Sequence, residues 1–238
     1  MATPCPRLTL LALSAALCAS ACTGEFQHDV GVEAWRQGHP EVAAKHYAKA
    51  CDKGYGDSCY NLALLEFEGD GVPQDDAAAY EHFERACAPT DLDACYYVAM
   101  LAGEGRGTAR DDAHANVLLN MGCERAHALS CELYGVRIHD GLGVQADPAR
   151  GREMVDRACE LGGEQSCNQA GILHWRADDL VRADIFFARG CERDEDPTAC
   201  FNLANGQGLP KSPEQIEALL AKACELGEPD ACTASDPE

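Results

Sequence analysis

Basic residues are scarce in this chain. Its 238 residues hold 19 Lys and Arg against 40 Asp and Glu, a formal net charge of −21 at pH 7. A phosphate backbone repels so acidic a surface, and the counterion release that drives nucleic-acid affinity needs Lys and Arg clusters that are not there. Nucleic acid is excluded as a partner, and attraction to an anionic membrane surface fails for the same reason. The carboxylates read as a solvated exterior. Motifs of catalysis are missing too. There is no HExxH, no Walker loop, no G-x-S-x-G elbow and no C-x-x-C, so neither a metal centre, a nucleotide cofactor nor a redox dithiol is expected. The eight histidines are scattered; His46, His82 and His139 read as solvated or half-buried helix residues.

A long apolar run is also lacking. Leu8 to Leu17 (LTLLALSAAL) covers ten residues, short of the ~20 that span a bilayer as a helix. With Arg7 ahead of it and Ala19-Ser20-Ala21 behind, it reads as an export signal over residues 1–21. Ala19-Ser20-Ala21-Cys22 resembles a bacterial lipobox, which implies cleavage before Cys22, a diacylglyceryl group on its sulfur and a short linker over 22–26. Parity agrees. Of the 15 cysteines, cleavage removes Cys5 and Cys18, and committing Cys22 to lipid leaves an even set.

What is abundant is repetition. Cysteines at Cys51, Cys87, Cys123 and Cys159 recur with a period of 36, and Cys191 and Cys224 follow at 32 and 33. Each is followed eight positions later by Cys59, Cys95, Cys131, Cys167 or Cys232, or nine later by Cys200. Other columns move with them. A small residue stands one before the first cysteine (Ala50, Ala86, Gly122, Ala158, Gly190, Ala223). A large apolar one stands four before (Tyr47, Phe83, Leu119, Val155, Phe187, Leu220). Eight before stand Ala43, Ala79, Ala115, Gly151, Ala183 and Ile216. Apolar positions spaced by four and three form one helix face.

Each such helix has a start and a stop. Asp75, Asp111, Asp147, Asp179 and Ser212, twelve before the cysteine, suit an N-cap, with His39 the exception. Pro40, Pro148 and Pro213 follow at N1, and Gly54, Gly162 and Gly227 lie where a left-handed residue ends the helix. A second helix follows the second cysteine, with a small-residue column at Ala63, Ala99, Gly135, Gly171 and Ala204. Three of these run into Gly69-Asp70-Gly71, Gly105-Arg106-Gly107 and Gly141-Leu142-Gly143. No strand precedes these GxG segments, so turn geometry explains them better than a phosphate cradle does.

Units reading SCYNLALLEFEGDGVPQDDAAAYEHFERAC resemble the Sel1-like repeat, a relative of the tetratricopeptide repeat, over about residues 27 to 235. Within that family they are similar to the cysteine-rich Sel1-like proteins secreted by some bacteria. The resemblance implies an all-α fold: an α/α solenoid of about six repeats over 27–238, a right-handed superhelix of disulfide-bridged hairpins, with a capping half-repeat at its end. The first helix of each repeat would line a concave face that holds a protein or peptide. Tyr60, Asn61, Tyr96, Tyr97, Asn168, Gln169, Phe201 and Asn202, which flank the second cysteines, are the candidate contacts. Trp35 and Trp175 read as core.

The cysteines themselves read as structural disulfides, Cys51 with Cys59 and so on through Cys224 with Cys232. A short glycine-containing turn brings helix ends near the ~4.4–6.8 Å Cα separation that a bridge requires. Zinc needs about four ligands, and one junction offers two sulfurs. Six regular pairs behind an export signal point to an oxidising compartment. The expectation is thus a non-catalytic binding scaffold of the bacterial cell envelope: a lipoprotein on the outer membrane or the periplasmic face, touching membrane through its lipid alone, or else a secreted protein. Two alternatives come with the resemblance. One is weak penicillin binding or β-lactam hydrolysis, although no mature serine stands in S-x-x-K. The other is a respiratory-chain assembly role, which the secretory character of the signal disfavours.

Overall fold

The computed structural model describes residues 14–88, 90–163 and 165–234, with side chains from 24 to 233 except those of 89 and 164. Most of the expected export signal and the side chain of Cys22 lie outside the described residues. Among the described residues the chain is a succession of helices; its β-structure is one isolated bridge between Ala88 and Asp91. No helix among them is long and apolar enough to cross a membrane. The chain divides into two units, 1–118 and 119–238.

The first unit holds α1 (Ser14–Arg36), α2 (Pro40–Cys51), α3 (Gly56–Glu68), α4 (Asp76–Ala86) and α5 (Leu92–Glu104); the division falls inside α6 (Asp112–Glu124). Residues 22–26, expected as a linker, are helical and continuous with α1. Extending an existing helix adds a hydrogen bond per residue fixed, so α1 has no reason to stop there. The second unit holds α7 (Ala128–Asp140), α8 (Pro148–Glu160), α9 (Ser166–Arg176), α10 (Leu180–Arg193), α11 (Pro197–Asn205), α12 (Pro213–Glu225) and α13 (Pro229–Ala234).

The caps behave as their chemistry dictates. Asp75 Oδ1 accepts from the N–H groups of Ala77 and Ala78, Asp111 from His114 and Asp147 from Arg150. Ser212 and Gln215 form a reciprocal capping box. At the first turn the backbone of Gly54 is left-handed (φ 82°), and Tyr55 N–H reaches back to the Ala50 carbonyl at 3.1 Å. That closes α2 and turns the chain directly into α3.

The columns are the core. Ala43, Ala79 and Ala115 are fully buried, as are Phe83, Leu119 and Val155. Small residues decide how near the helices come. A Cβ on Gly135 of α7 would lie 2.7 Å from the Gly151 carbonyl of α8. In the GxG connectors, Gly71 combines φ 69° with a backbone approach in which a Cβ would lie 2.5 Å from Glu41 N. Only glycine meets both demands. The connector folds back on the start of its own repeat, and Arg106 fixes the next one by bidentate bonds to Asp76 at 2.9 Å.

All six cysteine pairs are bonded, with Cα separations of 4.4 to 4.8 Å. Repeats are also joined by hydrogen bonds that the cysteine spacing does not reveal. Arg85 donates to the Cys51 carbonyl at 2.6 Å, Arg193 to the Cys159 carbonyl at 2.8 Å and Lys222 to the Cys191 carbonyl at 2.7 Å. Terminal helix carbonyls have no intrahelical donor, and a cation there is favoured by the helix dipole. Each cation comes from the following repeat, so it links neighbours. In the second unit two buried polar groups add to this. His174 Nε2 lies 3.0 Å from Asp156 Oδ1, and its ring stacks on Phe186. Asp184, 1% exposed, accepts from Lys211 at 2.7 Å and from Leu209 N–H at 2.8 Å, pinning the connector between α11 and α12. At the end of the unit Ala231 of α13 is buried against Cys191, Cys200 and Ala223.

Candidate functional site

None of the eight residues expected to touch a ligand is fully exposed; all are half-buried. Seven of them fall into three settings, and Gln169 is half-buried at the start of α9. Tyr60, Tyr96 and Tyr97 belong to a ring cluster: Tyr97 stacks on Phe83 with centroids 4.6 Å apart, and Tyr60 lies 5.8 Å from Phe83 and Tyr96 5.5 Å from Tyr97. Burial raises the phenol pKa of Tyr60 and of Tyr97 above its ordinary value, so both rings stay neutral. Phe201 packs over the Cys191–Cys200 bridge, and Asn168 accepts from Asn202 Nδ2 at 2.9 Å. Asn61 and Asn202 differ from the others, because each lines an open cleft.

The first cleft, about 350 Å³, is enclosed by α1, α2 and α3 and lined by Val32, Trp35, Arg36, Tyr47, Asn61 and Glu68 among others. The second, about 520 Å³, lies among α9, α10 and α11 and is lined by Ile172, Trp175, Arg176, Phe187, Asn202 and Asn205 among others. Both volumes fall within the ~300–1,000 Å³ typical of ligand sites. Each has an aromatic floor, Tyr47 or Phe187, at 3% and 4% exposure, and a tryptophan on its rim at 53% or 60%. This corrects the reading of Trp35 and Trp175 as core. They end α1 and α9 on the side away from the buried stripe, where a ring meets solvent on one face and a cavity on the other.

The two clefts repeat one another position for position. Trp35 and Trp175 each stand sixteen residues before a bridged cysteine, and each is followed by arginine. Gly31 and Gly171, four residues earlier, lie against the floor rings: a Cβ on Gly31 would come 2.7 Å from Tyr47, and one on Gly171 would overlap Phe187. Asn61 and Asn202 both stand two residues after a second cysteine. Asn61 hydrogen-bonds the Tyr47 hydroxyl, while burial raises that phenol's pKa. Among the described residues the guanidinium of neither Arg36 nor Arg176 has a hydrogen bond or an ion pair. The shared Gly-x-x-x-Trp-Arg was visible in the sequence, but its meaning depended on knowing that a Trp there is exposed.

Three further serine pairs carry no mark in the sequence pattern. The Ser58 hydroxyl pairs with His28 Nδ1 at 2.9 Å, and Ser130 with His127 Nδ1 at 2.7 Å. Both serines are buried to 1% or less; the first pair ties the middle of α1 to the start of α3, and the second lies within the first turn of α7. Ser166 donates to Glu132, whose carboxyl pKa is raised by burial, with that hydrogen bond opposing the rise. Among the described residues no group of three or more His, Cys, Asp and Glu side chains is arranged to hold a metal ion.

The family model described as Sel1 repeat matches residues 40–55, 56–88, 92–127, 128–163 and 197–228, well over half of the chain. It leaves out α9, at whose end Trp175 stands, and α10, so the family model marks five repeats where about six were expected. No curated protein matches. Among solved structures the chain is similar to a protective antigen of uropathogenic Escherichia coli strains displaying an SLR fold. The identity is 22% and the TM-score 0.77, over 95% of this chain and 51% of that one. It spans about half the length of that protein. It is also similar to a Sel1 repeat protein from Oxalobacter formigenes at 18% identity and TM-score 0.71, over 88% of this chain and 86% of that one. At these identities the likeness speaks for the fold.

Proposed function

The chain belongs to the Sel1 repeat family, and on that footing we propose that it is a non-catalytic scaffold that holds a protein or peptide in the bacterial cell envelope. The observation that carries the reading is the pair of matching clefts, each offering an exposed indole, an unpaired guanidinium and an asparagine on a rigid helical frame. Exposed aromatic rings beside hydrogen-bonding groups are the composition of binding hot spots. A frame clamped by six disulfides keeps such a surface preorganised, which lowers the entropic cost of binding.

The disulfides accord with an oxidising compartment, and Ala19-Ser20-Ala21-Cys22 supports anchoring through lipid on Cys22 at the outer membrane or the periplasmic face. Capture of envelope proteins on the disulfide-intact chain, identified by mass spectrometry, tests the scaffold. A defined set of proteins should be retained and should be lost once the bridges are reduced and alkylated. Retention of the same set by reduced chain, or of none by intact chain, overturns the reading. Metabolic labelling with a radioactive fatty acid should mark the wild type and not Cys22→Ala; an unlabelled wild type removes the anchor.

A further inference from the structure

We propose that the two tryptophan clefts are receptors for an aromatic side chain of a peptide, one ring per cleft, with a carboxylate beside that ring in the peptide. The inference rests on the scaffold reading and specifies its ligand. Its basis is a third copy of the same site in which the chain supplies the ring itself. In the repeat of α4 and α5, Phe83 is the floor, in the column of Tyr47 and Phe187. Phe67 stands eight residues after Cys59, as Trp175 stands eight after Cys167, and forms the wall. Tyr97, two after Cys95, occupies the place held elsewhere by Asn61 and Asn202.

There the cavity is filled. Tyr97 lies on Phe83 at 4.6 Å with 5° between the planes, and Phe67 meets its edge at 5.7 Å and 63°. A guanidinium completes the group, with Arg106 lying 5.0 Å over Phe67. The arrangement of stacked floor and edge-on wall is the one aromatic quadrupoles favour.

The clefts keep the floor and the wall, carry an arginine directly after the wall where the filled copy has Glu68 and draws Arg106 from the next connector instead, and lack the covering ring. Tyr to Asn at that position removes the plug and leaves an amide able to hydrogen-bond a peptide main chain. What such a cleft accepts is therefore what Tyr97 provides, delivered from outside. Charge adds the second specification. Arg106 is neutralised by Asp76 and Glu104, whereas Arg36 and Arg176 have no carboxylate partner among the described residues. A carboxylate next to the incoming ring would supply one, in the bidentate geometry that arginine favours. Glu68 lines the first cleft together with Arg36, whereas the residues lining the second include no carboxylate, so the second cleft should bind such a peptide more tightly.

The chain's two tryptophans are the two cleft walls, so fluorescence excited at the red edge, where tryptophan absorbs and tyrosine does not, reads both sites without the seven tyrosines or the peptide's own ring. Titration with acetyl-Tyr-Asp-amide should change it saturably, and acetyl-Ala-Asp-amide should not. In Trp35→Phe, which leaves Trp175 as reporter, adding Asn202→Tyr should weaken binding by at least ~10-fold, the factor worth about 1.4 kcal/mol. Asn61→Tyr in the same background should leave that response unchanged. Indole N–H resonances of the wild type, shifted by the tyrosine peptide and not by the alanine one, give the same reading with no substitution. Equal responses to both peptides, or a response untouched by Asn202→Tyr, would overturn the proposal. Absence of a saturable change at millimolar peptide would do the same. If envelope proteins are captured by the wild type and equally by the Asn61→Tyr/Asn202→Tyr double variant, the scaffold stands and the clefts are not its receptors.

Discussion

Phe83 and Phe187 occupy the same column, four residues before a bridged cysteine, and both are buried. Above Phe83 lies a stacked tyrosine; above Phe187 lies an open cavity walled by an exposed tryptophan. The backbone pattern is shared and the difference comes from few side chains, chiefly the residue two after the second cysteine, Tyr97 in one repeat and Asn202 in the other. A repeat fold thus separates two tasks. Columns at helix spacing hold the frame, and positions bordering the floor decide whether the space over it is filled from within or left for another molecule.

The largest expected effect comes from breaking the filled copy. Phe83→Ala should cost ~3–5 kcal/mol in urea unfolding with bridges intact, because it strips the partner from Tyr60, Phe67 and Tyr97 together. Phe187→Ala should fall near the lower end of that range, since the space above it already opens to solvent. Equal losses would erase the contrast. Next, replacing Cys87 and Cys95 by serine should cost ~2–3 kcal/mol, from the loop entropy returned to the unfolded chain. The Cys191 and Cys200 pair beside the open cleft should cost about the same, which would show that the cleft does not weaken its own junction.

Smaller effects sharpen the picture. Trp35→Ala and Trp175→Ala should each change stability by no more than ~0.5 kcal/mol, as surface substitutions do. A loss of ~3–5 kcal/mol would mean that the rings are core after all. The smallest expected effect lies in the second unit, at Glu132. Burial raises its folded pKa above the ordinary 4.5, so the folded state binds the proton more readily than the unfolded one. Stability then falls as pH rises from 4.5 through the raised value, and the penalty is complete above it. Glu132→Gln should therefore melt higher than wild type at pH 7, with the gap closing as pH falls below 4.5. A gap of constant size across that range would contradict the shift.

Much of this was legible in the chain. Periodic cysteines, aspartate caps and small-residue columns gave the helices and junctions to within a few residues, because each obeys a local rule of turn closure, capping or face periodicity. The eight candidate contacts share only their place beside cysteines, and that place does not sort them. Tyr97 and Asn61 hold equivalent positions, and only packing places one under a stack and the other at a cavity. Trp35 and Trp175 were misjudged for a related reason. A large apolar ring suggests burial, but whether it is buried depends on what the neighbouring helix leaves above it. Arg85, Arg193 and Lys222 gave no signal at all, since their acceptors are main-chain carbonyls more than thirty residues away.

The sequence by itself determined the hairpin unit, its number of junctions and its covalent clamps, all of which depend on residues within one or two turns of each other. Tertiary structure decided which of three aromatic floors are covered, which rings face water and which cations close a neighbour's helix. Those outcomes turn on atoms brought together from different helices, and the free energy of a cavity or a stack exists only once both of its sides are in place.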